Sequence, residues 1–206
     1  LADCVDESDR VLHLLESLLD VSAAEAGMLA LRREPIDLRD LCRRAADLYR
    51  EVAEEKAIAV DLDLPHPVEM RADAVRLASA VSNLVDNALK YTPAGGHVIL
   101  AAGREDAAGR EPAAVVTVCD TGPGVPPAER EAIWRRLYRG DASRSERGLG
   151  LGLTLVRAIV EAHGGSARVE DAPGGGSRFE LRFPDSSRPR PMAVSDGRGS
   201  TPPELG

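Results

Sequence analysis

Asn83, Asn87 and Lys90 fall at i, i+4 and i+7 in the run NLVDNALKYTP, so a helix there carries all three on one face. Asparagine is a mediocre helix former because its amide competes for backbone hydrogen bonds. A face that met only water would be better served by Glu, Arg or Lys. A carboxamide oxygen is a neutral hard ligand, suited to a Mg²⁺ that keeps several waters and also binds substrate phosphates. A lysine one turn further on can pair with phosphate as a point charge. Taken alone, the same spacing describes a solvated polar face at least as well.

Two further stretches carry chemistry. In CDTGPGVP, residues 119–126, Asp120 ends an apolar run beside a turn built on Gly122 and Gly124. A carboxylate there can accept from an exocyclic amino group, and the glycines let a flat ring approach the backbone. Such a contact favours adenine, because guanine's carbonyl would leave the acid unpaired. A plain turn with Asp as a turn residue fits this segment equally well. In GLGLGL, residues 148–153, Gly148, Gly150 and Gly152 alternate into a helix that begins near Leu151. Bare N–H groups at a helix start suit polyphosphate. No strand precedes the run and the third glycine is misplaced for a dinucleotide fingerprint, while no G-K-[ST] marks a P-loop. A hinge would explain the glycines too, but the three segments in this order would together build one Mg-nucleotide pocket.

The elements that must position them follow from periodicity. Residues 5–26 place Val11, Leu12, Leu15, Leu18 and Leu19 on one helical stripe, with Gly27 as C-cap. One helix cannot bury its own stripe, so a bundle partner is expected. MLALRREPIDL reads as a short strand. A helix then runs from the Asp37 cap to Lys56, with Leu38, Leu41, Cys42, Ala45, Leu48 and Val52 inward. AIAVDLDLP alternates as a strand and VEMRAD as a shorter one. Asp73 caps the asparagine helix, whose apolar side is Leu77, Val81, Leu84, Val85 and Ala88. GGHVILAAG and AAVVTVCD read as two strands, followed by a Gly/Pro turn and a short helix near 127–134. A charged stretch, RRLYRGDASRSER, leads to the glycine-rich helix and a closing hairpin, SARVEDAPGGGSRFELRFP. From Asp185 on, Pro, Ser, Gly and Arg dominate and a disordered tail is expected. A lone helix followed by mixed helices and strands favours an α+β fold, a two-layer sandwich with helices on one face of a mixed sheet.

Composition bounds the function. The chain has 206 residues with aromatics at 3%, so its core must be mostly aliphatic. A formal net charge of −8 argues against a nucleic-acid surface. Cys4, Cys42 and Cys119 have no metal-ligand spacing and cannot all pair, which suits a reducing, cytosolic setting. No apolar run reaches the ~20 residues that span a bilayer. The first residue is Leu1, inside a helical run, as expected of part of a longer polypeptide.

The combination resembles the catalytic and ATP-binding domain of bacterial sensor histidine kinases, within the GHKL (Bergerat) ATPase superfamily. NLVDNALKYTP is similar to that family's N box, DTGPGVP to its first glycine box and IWRRLYRGDASRS to its F box. GLGLGL is similar to the second glycine box and GGGSRFELRFP to the closing hairpin. The match covers roughly residues 31–184; residues 1–30 resemble part of the dimerisation and phosphotransfer hairpin, and 185–206 form the tail. The resemblance implies that Asn87 holds Mg²⁺, that Asn83 lies beside the phosphates and that Lys90 contacts them. Tyr91 would border the nucleotide and Asp120 would read the adenine amino group, with Gly122 and Gly124 shaping that wall. Residues 135–147 would form a mobile lid in which Arg139 and Arg144 reach phosphate or the partner domain. Gly148, Leu149, Gly150, Leu151 and Gly152 would line the phosphates. The implied partners are ATP, the chain's own dimerisation domain, a cognate response regulator and a second copy in a homodimer. The implied location is the cytoplasmic portion of an inner-membrane sensor.

Three departures stand out. Trp134 and Leu137 occupy positions where the family usually has phenylalanines. Leu149 sits where a small hydroxyl residue is common. None of His13, His66, His97 and His163 is followed by the acidic residue and L-R-x-P pattern of a phosphoacceptor, so this chain is not expected to phosphorylate itself. The rival readings are another GHKL ATPase or serine kinase, or a non-catalytic nucleotide-binding module. Hydrolytic relatives place Glu where Asn83 stands; serine kinases usually lack a preceding bundle helix. A decayed module would not be expected to keep Asn87, Asp120 and the glycine trio.

Overall fold

The computed structural model describes residues 15, 18–24, 26–106, 111–138 and 150–184. Helix α1 occupies residues 18–24 and ends where Gly27 takes a left-handed φ of 67°. There the N–H of Met28 reaches back to Ala23 O at 2.8 Å, closing the last turn as a glycine C-cap does. Strand β1 (Glu34–Asp37), helices α2 (Leu38–Leu48) and α3 (Arg50–Glu55), and strands β2 (Ala59–Asp63) and β3 (Glu69–Ala72) follow. Helix α4 (Ala74–Tyr91) precedes β4 (His97–Glu105) and β5 (Ala113–Asp120). Helix α5 (Gly152–Ala162) and the hairpin β6 (Ser166–Asp171) and β7 (Ser177–Pro184) complete the order.

Five strands form one sheet in the order β2-β4-β5-β7-β6, while β1 and β3 pair separately. β2 lies parallel to β4 and every other pair is antiparallel, so the sheet is mixed. Strand alternation sorts its two faces. Val98, Leu100 and Ala102 of β4 join Val116, Val118, Phe179, Leu181 and Phe183 in the core, whereas Ile99 is 40% exposed on the opposite side. The helices supply the other half of that core. Leu77, Val81, Leu84, Val85 and Ala88 of α4 are all buried, as their spacing predicts, beside Leu155, Val156 and Ile159 of α5. The open face of the sheet is closed by charge: Glu180, only 1% exposed, lies between Arg168 at 2.6 Å and Arg178 at 2.8 Å. The two arginine stems cover it while their heads neutralise it.

Several sequence expectations are refined or corrected. The segment near 127–134 is not an α-helix but two 3-10 turns, Pro127–Glu129 and Ala132–Trp134, started by the consecutive prolines Pro126 and Pro127. The expected helix from Asp37 to Lys56 breaks at Tyr49 (φ −102°, ψ 9°), and Leu48, at the end of α2, and Val52, beyond the break, are both exposed. MLALRREPIDL contributes only four residues of strand. In the first helical segment Leu15, Leu18 and Leu19 are exposed and Val21 is fully buried; Val11 and Leu12 lie outside the described residues.

Candidate nucleotide site

Helix α4 starts on a dense set of caps. Asp73 accepts the Arg76 N–H at 3.1 Å through Oδ1 and the Arg32 N–H at 2.9 Å through Oδ2. Burial pushes the Asp73 carboxyl up, but those donors and the Arg76 guanidinium outweigh it and hold it below the usual carboxylate range. The N–H of Asp73 donates to His163 Nε2 at 3.0 Å, and His163 Nδ1 lies 2.7 Å from Ile159 O. His163 therefore carries its proton on Nδ1 and ties the start of α4 to the end of α5.

Ten residues along α4, the other end of the same antiparallel pair is fixed. Asn83 Nδ2 donates to Ser79 O at 2.9 Å, which aims Oδ1 toward the start of α5. A Cβ at Gly152 would lie 2.7 Å from that oxygen, so the first residue of α5 must be glycine for the amide to sit there. No side chain caps α5 at Leu151. The first N–H groups of a helix need partners, and here they emerge beside the Asn83 carboxamide. Gly150 (φ 68°) precedes this turn; it accepts the Leu137 N–H at 3.1 Å, and its own Cβ would meet Tyr138 O at 2.7 Å. Gly150 is thus required by an approaching backbone and Gly152 by the Asn83 side chain.

A second wall forms at the end of β5. Asp120 is buried, and its Oδ1 accepts the N–H of Gly122 at 2.8 Å and of Ser177 at 3.2 Å. Burial raises its pKa; those two N–H donors and the Ser177 side chain oppose the rise without cancelling it. A Cβ on Gly122 would lie 2.9 Å from Tyr91 O, so the turn after Asp120 is pressed against the last residue of α4. Gly124 (φ 77°) faces Gly176 O, and a Cβ on Gly176 (φ 90°) would fall 1.9 Å from Asp120 O. The tip of the β6–β7 hairpin therefore buttresses the acid from behind. Lys90 Nζ stands 5.2 Å from the centroid of the Tyr91 ring, a cation–π contact at the rim.

The fold brings together the α4 face, the Asp120 turn and the start of α5. Asn83 meets Gly152, and Tyr91 meets Gly122. Asn87 and Lys90 lie one and two turns beyond Asn83 on the same helix, both half-buried. Arg139, Arg144, Gly148 and Leu149 lie outside the described residues, as do His13 and most of the expected lid. Ser177 was not singled out by its sequence, yet it touches Asp120; the signal was a hydroxyl residue directly after three glycines. His163 likewise reads as an ordinary AHGG helix end but organises both helices. Trp134, one of the F-box departures, is 5% exposed and packs edge-on to Phe179 at 6.0 Å, so an aromatic anchor is retained. Leu137, the other, is 68% exposed with φ 57°.

Residues 72–187 match the model of histidine kinase-, DNA gyrase B- and HSP90-like ATPase domains. The chain belongs to this family. Among curated relatives, the signal transduction histidine-protein kinase/phosphatase MprB of Mycobacterium avium (strain 104) is 37% identical over 93% of this chain and 35% of its own length. The circadian input-output histidine kinase CikA of Synechococcus elongatus is 34% identical over 91% of this chain and 25% of its own length. This chain thus spans about a third or less of those relatives. Among solved structures, full-length ShkA in complex with AMPPNP superposes with a TM-score of 0.74 at 31% identity, covering 87% of this chain and 36% of ShkA. The mycobacterial sensor histidine kinase MprB superposes with a TM-score of 0.62 at 30% identity, covering 74% of this chain and 97% of that structure. The mixed five-stranded sheet with helices on one face is the α+β sandwich of this ATPase family.

Proposed function

We propose that this chain is the catalytic core of a sensor histidine kinase, which binds Mg-ATP and donates the γ-phosphoryl group to a histidine of its dimerisation domain. Relay to a response regulator would follow. The observation that carries the reading is the junction of Asn83 with Gly152 on one side and of Tyr91, Gly122 and Asp120 on the other. It supports a reading in which the carboxamide face, the uncapped start of α5 and the buried acid serve one nucleotide. The relatives named above as histidine kinases support it, and the ShkA complex supports nucleotide binding.

The donor set fits Mg²⁺ bound through a nucleotide. No three His, Cys, Asp or Glu side chains cluster among the described residues, so a cation here would rest on the Asn87 carboxamide, phosphate oxygens and water. Bound there, it would neutralise charge developing on the transferred group. The chain's own residues would do the positioning. Lys90 and the first N–H groups of α5 would hold the phosphates, while Asp120, kept in place by Gly122 and Ser177, would accept from the adenine amino group. Arg139 and Arg144 would reach phosphate from the lid. Asn83 has no carboxylate with which to activate water, so hydrolysis should be slow and the phosphoryl group kept for the acceptor histidine. No helix among the described residues is long and apolar enough to cross a membrane; the cytoplasmic portion of a membrane sensor remains the location we propose.

Calorimetry on the parent and two variants tests this. Asn87→Ala should lose Mg-dependent nucleotide binding, and Asp120→Asn should lose preference for ATP over GTP by about tenfold or more, the value of one charged hydrogen bond. Equal Mg-ATP binding by Asn87→Ala would remove the metal assignment.

A further inference from the structure

Arg130 ends the 3-10 turn that follows the Asp120 turn, and it joins the two segments that shape the Asp120 wall. Its Nε donates to Val125 O at 3.2 Å, at the end of the glycine turn. Its Nη2 meets Asp171 Oδ1 at 2.5 Å, at the end of β6. The hairpin register carries this second contact inward. Asp171 pairs with Ser177 across the hairpin, and the Ser177 N–H donates to Asp120 Oδ1. Gly122, which donates to the same oxygen, belongs to the turn that Arg130 holds through Val125 O. Both N–H donors to the acid therefore stand on segments that one guanidinium connects.

The hairpin tip needs such a tie. Gly174, Gly175 and Gly176 all have positive φ, at 93°, 103° and 90°, and glycine loses more freedom on ordering than any other residue. Bonds from Gly175 N–H to Ala172 O and from Ala172 N–H to Gly176 O close the loop on itself without seating it on Asp120. Arginine suits the task because its planar fork presents several donors in fixed geometry, so one side chain can bond a carbonyl and a carboxylate together. The Arg130 side chain is 25% exposed and that of Asp171 75%. An ion pair so open to water adds little to overall stability, so its effect falls on how the two segments lie against Asp120.

We infer that Arg130 is a positioning residue for purine recognition: by clasping the glycine turn to the β6–β7 hairpin, it fixes the direction in which Asp120 meets its ligand. This rests on the proposed reading of Asp120 as the acceptor for the adenine amino group.

The test is calorimetric titration of the full chain and its variants with Mg-ATP and, separately, Mg-GTP. The parent should prefer ATP. Arg130→Ala and Asp171→Ala should each lower that preference about threefold to fivefold, the range open to a partly exposed ion pair. The double variant should lose no more than Arg130→Ala alone, because both changes remove one contact. A merely structural tie would instead weaken both nucleotides alike and leave their ratio unchanged. Should Arg130→Ala fail to fold, Asp171→Ala, an exposed change, decides the matter by the same ratio. An unchanged ratio in the folded variants, or losses that add in the double variant, would overturn the role of Arg130 while Asp120 keeps its own. A parent that binds ATP and GTP equally would remove the reading of Asp120, and this inference with it.

Discussion

At the scale of single residues, the site is built by side chains whose places are decided by glycines. Asn83 can point at α5 only because Gly152 has no Cβ there, 2.7 Å from its oxygen. Gly152→Ala should therefore weaken nucleotide binding by displacing the amide, while changing the melting temperature little, because alanine is the better helix former. Calorimetry and thermal melts on the same variant separate the two effects. Asp120 shows the opposite economy. Its carboxyl is held above its ordinary value of 3.8 by burial, so ionising it costs the apo fold. As pH rises from that value toward the raised one, the unfolded chain releases this proton first and stability falls. Asp120→Asn should accordingly leave the apo melting temperature unchanged or higher at neutral pH, while the stabilisation by ATP disappears. A lower apo melting temperature in this variant would show that the acid is structural. Asn83, Asn87, Lys90 and Asp120 were legible as types at spacings. Ser177 was not, because its role comes from the hairpin tip folding back over β5, a contact between residues 57 positions apart.

Among the elements, the antiparallel pair α4 and α5 is the platform, fastened at one end by His163 and at the other by Asn83 and Gly152. His163→Ala would leave the Asp73 N–H buried without an acceptor, a loss of about 1–3 kcal/mol. Chemical denaturation at neutral pH measures it. The same contact predicts a pH dependence. Burial depresses the His163 pKa from 6.5, against smaller opposing effects from Ile159 O and Asp73. The unfolded chain thus binds this proton before the folded one does, and stability should fall as pH drops below about 6.5. A further fall follows below 3.8, where the caps Asp73 and Asp37, both held low, become protonated. The component that sets in below about pH 6.5 should vanish in His163→Ala. The main helices and strands were legible because one face of each is buried and periodicity reports that directly. What was lost is where backbone geometry overrides pattern. Tyr49 breaks a stripe that continues through Leu48 and Val52, and the prolines at 126 and 127 start 3-10 turns where apolar spacing suggested a helix.

For the whole molecule, the described residues of α1 meet the ATPase fold through Val21 and Ala24, the Asp20–Arg76 ion pair and the Ser22–Arg136 hydrogen bond. The exposed leucines of α1 leave a stripe of the kind a helical bundle buries, as the proposed dimerisation hairpin would. None of the described histidines has the setting of a phosphoacceptor: His66 and His97 are exposed on loop and strand start, and His163 is committed to two backbone partners. Incubated with labelled ATP, the chain should therefore acquire no acid-labile phosphate; label on it would contradict the proposed division of labour. The most direct measurement is calorimetric titration of the parent chain and Asn87→Ala with ATP, with and without Mg²⁺. The account predicts saturable binding below millimolar ATP that requires both Mg²⁺ and Asn87. Saturation that is absent, or that is identical in the variant, would contradict it.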